Sequence, residues 1–220
     1  MEITYIGHSC FKIKGKNATI VIDPYDPKKV GYKLPKLEAD IVLSTHDHFD
    51  HNHKQGVTGY KHFINAPGEY EASEVFIYAI KTFHDEKKGA ERGENIMYLI
   101  EIDDFAILHV GDLGHDLSDS DLEKASIVDV LFVPVGGTYT IGPKRATKVV
   151  SKVEPGIVIP MHYQTKDLTG LGKELAPLDK FLNEMGVKGD NGHRQEEKLK
   201  LSSRNDIPEE TEIIVLTPQH

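Results

Sequence analysis

A layered α/β fold is the expectation here, and three features of the chain support it. Short apolar segments of strand length crowd the first half, and two stretches of the second half carry helical spacing. Glycine, proline and small polar clusters punctuate both kinds of segment.

The elements can be taken in order. Ile3–Ile6, Cys10–Ile13 and Ala18–Ile22 are strand-like, separated by Gly7 and by Gly15-Lys16-Asn17. Ile41–Ser44 is a mostly apolar run that leads straight into a histidine cluster, as a buried strand would. Val75–Ile80, Ile96–Ile102, Phe105–Val110, Val128–Val133 and Ile157–Ile159 are further strands, and Ile213–Leu216 is expected to close a second sheet. Three segments read as helices. Ser118 with Asp121 resembles a capping box ahead of a short helix containing Leu122 and Ala125. Pro143 suits the first turn of the next, in which Ala146, Val149, Val150 and Val153 fall at i, i+3, i+4 and i+7 and which should stop before Pro155-Gly156. Leu178, Phe181, Leu182 and Met185 repeat that spacing, with Gly186 as the stop.

A chain of 220 residues can bury a substantial core, and without a linker or repeat it reads as one domain, 1–220. Its single cysteine, Cys10, cannot form an internal disulfide, which fits a reducing compartment. Residues Met1 to Gly15 alternate polar and apolar and carry Lys12 and Lys14, unlike a signal peptide. No apolar run approaches the ~20 residues of a membrane span. A cytoplasmic protein with no membrane partner is therefore expected. Acids outnumber bases by 35 to 26, for a net charge of −9, and no long basic run is present. That balance argues against a nucleic-acid partner and for a small-molecule substrate.

The run Thr45-His46-Asp47-His48-Phe49-Asp50-His51 carries the chemistry. In a near-extended loop His46 and His48 project to one side and can grip a cation, while Asp50 and His51 reach a second position close by. An isolated histidine pair would read as a solvated loop. Three imidazoles and a carboxylate behind a buried strand point instead to a metal: zinc first, with manganese or iron as alternatives.

With this run in view, the chain resembles the metallo-β-lactamase superfamily, and within it the UlaG-like Zn-dependent hydrolases. The motifs are Gly7-His8-Ser9-Cys10-Phe11, Ile22-Asp23-Pro24, the histidine run, Phe83-His84, His109-Val110-Gly111-Asp112, Pro134-Val135-Gly136-Gly137 and Ile159-Pro160-Met161-His162-Tyr163. They span about Met1 to Gln164. The resemblance implies a four-layer αββα sandwich, two facing mixed sheets flanked by helices, with two divalent metal ions along one edge. By position, His46, His48 and His84 would bind the first ion, Asp50, His51 and His162 the second, and Asp112 would bridge them. Asp23 would be a buried acid ordering the ligand loop. The charged segment from Asp85 to Asn95 is the least standard part.

The implied activity is metal-dependent hydrolysis of a small ester-type substrate, a phosphodiester or lactone favoured, by hydroxide generated at the dinuclear site. Asp112 could accept a proton from the bridging water. His8, His109, His115 and Tyr139 are candidates to protonate the leaving group. The alternative is a metal-binding sensor or regulatory protein of the same fold without turnover. Several branches fit less well. A secreted lactamase would carry a signal segment, a tRNA nuclease a basic arm, and a glyoxalase II a helical extension. A flavodiiron protein would need a carboxylate in place of His48.

Overall fold

Alternating apolar and polar positions become two facing sheets in the computed structural model, which describes residues 1–123, 125, 127–168, 174–187 and 192–220. The chain runs through β1 (Glu2–Gly7), β2 (Cys10–Lys14), β3 (Thr19–Ile22), the one-turn helix α1 (Pro27–Val30), β4 (Leu37–Glu38), β5 (Ile41–Leu43), β6 (Val57–Thr58), β7 (His62–Ile64), β8 (Gly68–Ala72) and β9 (Val75–Phe83). There follow β10 (Glu94–Ile102), β11 (Phe105–His109), β12 (Val130–Pro134), α2 (Pro143–Val153), β13 (Ile157–Met161), α3 (Leu178–Glu184), β14 (Arg194–Glu196), β15 (Leu199–Lys200) and β16 (Glu212–Leu216).

The first sheet has the order β15-β1-β2-β3-β5-β7 and the second β14-β16-β13-β12-β11-β10-β9-β8, while β4 and β6 form a small separate ladder. Both sheets are mixed. β1 to β3 are antiparallel neighbours, and β5 and β7 join them in parallel. β8 to β11 form an antiparallel meander that β12, β13 and β16 extend in parallel. The expected strand at Ile213–Leu216 does join the second sheet, with β14 beyond it at the edge.

The main core lies between the sheets. Tyr5, Phe11, Ile20, Ile22 and Leu43 from one face meet Ile77, Tyr98, Ile107, Phe132 and Ile159 from the other. Phe11 stacks on Phe132 at 4.1 Å and on Tyr5 at 4.8 Å between ring centroids, which pins the two sheets together near one end of β2. A second apolar cluster packs Ala146, Val149 and Val150 of α2 and Phe181 and Leu182 of α3 against the outer face of the second sheet. Helix α2 ends where Glu154 turns left-handed, ahead of Pro155, as its pattern requires.

A third cluster puts Ile6, Cys10, Val21 and Val42 of the first sheet's outer face under Tyr25, Val30, Tyr32 and Leu37. The αββα order therefore holds, with a thin outer layer here. Asp26 caps α1 by accepting from the Lys28 amide, and Gly31 at φ +99° ends it after one turn.

Among the described residues no helix follows directly from Ser118, where one was expected. Ser118 and Asp121 do exchange reciprocal bonds, Ser118 N to Asp121 Oδ2 at 2.7 Å and Asp121 N to Ser118 Oγ at 3.2 Å. Among the described residues, turn bonds follow from Leu122 N to Asp119 O and from Ala125 N to Leu122 O. A capped start with so short an apolar stretch cannot offset the cost of helix nucleation. Lys124 and Ser126, within that expected helix, lie outside the described residues. Among the described residues no helix is long and apolar enough to cross a membrane.

Candidate metal centre

The histidine run leaves the end of β5 and is fixed from behind by one buried acid. Asp23, at the end of β3, has no solvent exposure. Its carboxylate accepts from the Thr45 amide and the Thr45 hydroxyl, both at 2.8 Å, and lies 2.8 Å from His51 Nδ1. The first two contacts hold one end of the loop and the third holds the other. They also set the rings. With Nδ1 of His51 donating to Asp23, its Nε2 faces inward. Thr45 Oγ1 donates to Asp23, so at 2.9 Å it accepts from His46 Nδ1 and leaves His46 Nε2 as an inward lone pair.

The distant candidates arrive from other strand ends. His84 follows β9 and Asp112 follows β11. Asn95, buried at the start of β10, holds the second of these turns, accepting from the Asp112 amide at 2.9 Å and donating to Val110 O at 2.9 Å. Gly111 is required between them: its φ is +59°, and a Cβ there would lie 2.3 Å from Asn95 Oδ1. His162 follows β13 in the left-handed region at φ +52°, and His8 after β1 does the same at φ +58°. Their backbones meet through His162 N to His8 O at 2.9 Å. Left-handed backbone at two non-glycine positions is costly, and such strain concentrates at functional sites.

These turns gather every expected ligand. His46, His48 and His84 form one group of mutually close nitrogens. Asp50, His51 and His162 form another, together with His8. Asp112 Oδ2 stands between the two, 3.2 Å from His84 Nε2, 3.4 Å from His51 Nε2 and 3.3 Å from His162 Nε2. Two ligand atoms on one tetrahedral zinc, with bonds of ~2.0–2.1 Å, stand about 3.3 Å apart. The separations around Asp112 match that edge. The buried atoms His46 Nε2, His51 Nε2 and Asp112 Oδ1 have no hydrogen-bond partner among the described residues. Buried polar atoms without partners, converging on one space, fit a site for divalent cations.

The electrostatics agree. Burial alone would raise the Asp112 carboxyl, but His162 and His51 hold it well below the usual carboxylate range. Asp50 is lowered too, against its burial, by His51 and His8. Burial lowers His46 and His48, helped by neighbouring imidazoles, so both stay neutral and able to ligate. Burial would also lower His51, but Asp112, Asp23 and Asp50 hold it well above its ordinary value.

The candidates for proton transfer divide. His8 lies inside the cluster, its Nε2 3.0 Å from Asp50 Oδ2 and its ring 4.2 Å from that of His162. His109 has both nitrogens engaged, Nε2 with Ser9 O at 3.1 Å and Nδ1 with the Gly111 amide at 3.1 Å. His115 is likewise occupied, Nε2 by the Phe83 amide at 3.2 Å and Nδ1 by Asp116 O at 2.9 Å. Both nitrogens of each ring are thus engaged with backbone groups beside His84 and Asp112. The Tyr139 hydroxyl donates to Glu174 Oε2 at 2.8 Å.

Asn95 on the Asp112 turn, Asp85 next to His84 and Arg92 in the same loop also lie beside these residues, and no motif in the sequence singles them out. Asn95 gave one signal, a lone amide at the head of an apolar strand. Asp85 and Arg92 were hidden in the charged segment that follows His84.

Residues 2–162 match the model of the beta-lactamase superfamily domain. A UPF0173 protein of Pyrococcus abyssi is 32% identical over 186 residues, covering 75% of this chain and 84% of its own length. A UPF0173 metal-dependent hydrolase of Methanopyrus kandleri is 27% identical over 198 residues, covering 75% of this chain and 85% of its own. Among solved structures, a Thermotoga maritima protein named as a Zn-dependent hydrolase of the metallo-β-lactamase superfamily superposes with a TM-score of 0.78 at 35% identity, over 98% of this chain and 97% of that one.

Proposed function

The chain belongs to the metallo-β-lactamase superfamily and is a metal-dependent hydrolase, and from that premise we propose a dinuclear site acting on a small ester-type bond, in a phosphodiester or a lactone. His46, His48 and His84 would hold one ion and Asp50, His51 and His162 the other, with Asp112 contributing to both. The carrying observation is Asp112 Oδ2 at 3.2–3.4 Å from three imidazoles of both groups. Zinc suits this nitrogen-rich set, with manganese or iron as alternatives.

When bound, two divalent ions activate water near neutral pH and stabilise charge on the substrate oxygen. The protein's share is positioning. Asp23 locks His51 and, through Thr45, His46, so the ligand nitrogens are aimed before any ion arrives. Asp112, held ionised by His162 and His51, would supply negative charge to both ions and can take a proton from water. His8 orients Asp50 through their 3.0 Å contact. A single domain over residues 1–220 fits the pairing of β15 with β1 and of β16 with β13.

The zinc-loaded protein should hydrolyse bis(p-nitrophenyl) phosphate or γ-lactones, lose that activity on exhaustive chelation, and regain it with Zn²⁺ or Mn²⁺. Turnover that persists without metal would contradict this reading. Metal binding with no turnover on any ester, thioester or lactone tested would favour a sensor.

A further inference from the structure

Beside the His46/His48/His84 group the surface opens into a cavity of about 330 Å³, lined in part by Asp47, His48, Asn65, Arg92 and Glu94. Its charged groups are not equivalent. Glu94 pairs with Lys81, and Asp47 accepts from the Asn52 side chain. Among the described residues Arg92 has no carboxylate within ion-pair distance, and its guanidinium makes a long 3.3 Å hydrogen bond to the Thr138 carbonyl. Its guanidinium lies 5.8 Å from the centre of the Tyr139 ring, so one face is supported while most of the donor fork is open.

The backbone holding Arg92 is built with care. Asp85, next to His84, accepts from four amides at once: Lys87 at 2.7 Å, Gly89 at 3.0 Å, Glu91 at 3.0 Å and Arg92 at 2.7 Å. His84 N to Gly93 O at 3.1 Å closes the loop on itself. One buried carboxylate thus ties Arg92 to the candidate ligand His84. An open arginine fork in a chain of net charge −9, fixed at the edge of a cavity lined by His46 and His48, calls for a bidentate oxyanion.

Building on the hydrolase reading above, we propose that Arg92 is the specificity residue of this cavity. It receives a carboxylate or phosphate carried by the substrate away from the bond that is cleaved. The natural substrate is then an anion bearing an ester-type bond, not a neutral ester.

The test is binding of dicarboxylates with two to five methylenes to the zinc-loaded protein, measured by calorimetry against monocarboxylates of equal length. One carboxylate occupies the metal end, and only a dicarboxylate of matching span reaches Arg92. The wild type should bind one of them about tenfold more tightly than its monocarboxylate partner, as a charge-assisted bidentate contact allows. Arg92→Ala should abolish that preference while monocarboxylate affinity and thermal midpoint hold, and Arg92→Lys should keep part of it. If Arg92→Ala proves unstable, Arg92→Gln serves, since it keeps polar reach without charge. An ω-phosphono acid of the best length that binds more tightly still assigns the group as phosphate, and the reverse order assigns carboxylate. No preference in the wild type, or one that survives loss of Arg92, overturns the proposal. These are binding measurements, so a preserved preference with no ester turned over would sink the hydrolase reading alone.

Discussion

At the scale of single residues, the ligand set is prepared by its neighbours more than by its own sequence. His51 is the clearest case, an imidazole with three carboxylates around it: Asp23 at 2.8 Å, Asp112 at 3.4 Å and Asp50 at 3.6 Å. Burial favours its neutral form, but the three acids together hold it protonated well above its ordinary range. The three acids thus favour the protonated ring in the metal-free protein, and a cation at the same nitrogen competes with that proton. Metal uptake must displace that proton, and His46 and His48, whose values are lowered, have none to give. Zinc binding at pH 7 should release about one proton per chain from this position. Calorimetry in buffers of different ionisation enthalpy reads the number directly, and uptake with no proton release would show that His51 is neutral or not a ligand. The residues differ in how legible they were. His46, His48, Asp50 and His51 stand within six positions and announce themselves. His84, Asp112 and His162 became ligand candidates only through the family resemblance, because a lone histidine or a Gly-Asp pair at a strand end has ordinary explanations. Asn95 was missed because its role, holding the Asp112 turn, is visible only once β10 and β11 are paired.

At the scale of elements, long strands with one apolar face could be read directly, and edge strands could not. β9, β10 and β11 alternate or run apolar, and all three were anticipated near their observed bounds. β8, with the sequence Gly-Glu-Tyr-Glu-Ala, is largely exposed at the sheet edge and carries no apolar alternation to betray it. β7 opens with the exposed His62 and lies at the edge of the other sheet. The loop after His84 is the functional counterpart of this blind spot. Its order comes from a side chain accepting backbone amides, which leaves no periodic trace. Burial works to raise the Asp85 carboxyl, yet the amides of Arg92, Glu91, Lys87 and Gly89 hold it down to about 2. Asp85→Ala should leave both sheets folded and release this loop. Amide exchange at Lys87, Gly89, Glu91 and Arg92 should quicken by about tenfold or more, since each loses a charged acceptor. Zinc affinity at the His84 group should weaken with it. Unchanged exchange at those four amides would show that the loop is held by other means.

At the scale of the whole molecule, the two sheets meet over an aromatic stack and bring six separate strand ends to one edge, where β1, β3, β5, β9, β11 and β13 each deliver part of the site. This is why function could be read further than architecture. The ligand residues sit at strand ends whatever the layer count, whereas the thin outer layer over the first sheet depends on Asp26 and Gly31 stopping α1 after one turn. The central claim is a pair of divalent ions bridged by Asp112. Two dications at close range repel strongly unless negative charge lies between them. Asp112→Asn keeps the shape of the side chain and one oxygen while removing that charge. The most direct test is elemental analysis of the wild type and Asp112→Asn side by side, after reconstitution with zinc and removal of loosely held metal. The wild type should hold close to two ions per chain. The variant should fold, retain about one, and lose activity by ~10² or more where preorganised electrostatics carry the rate. Two ions and full activity in the variant, or a wild type that holds no transition metal, would contradict the bridged dinuclear site.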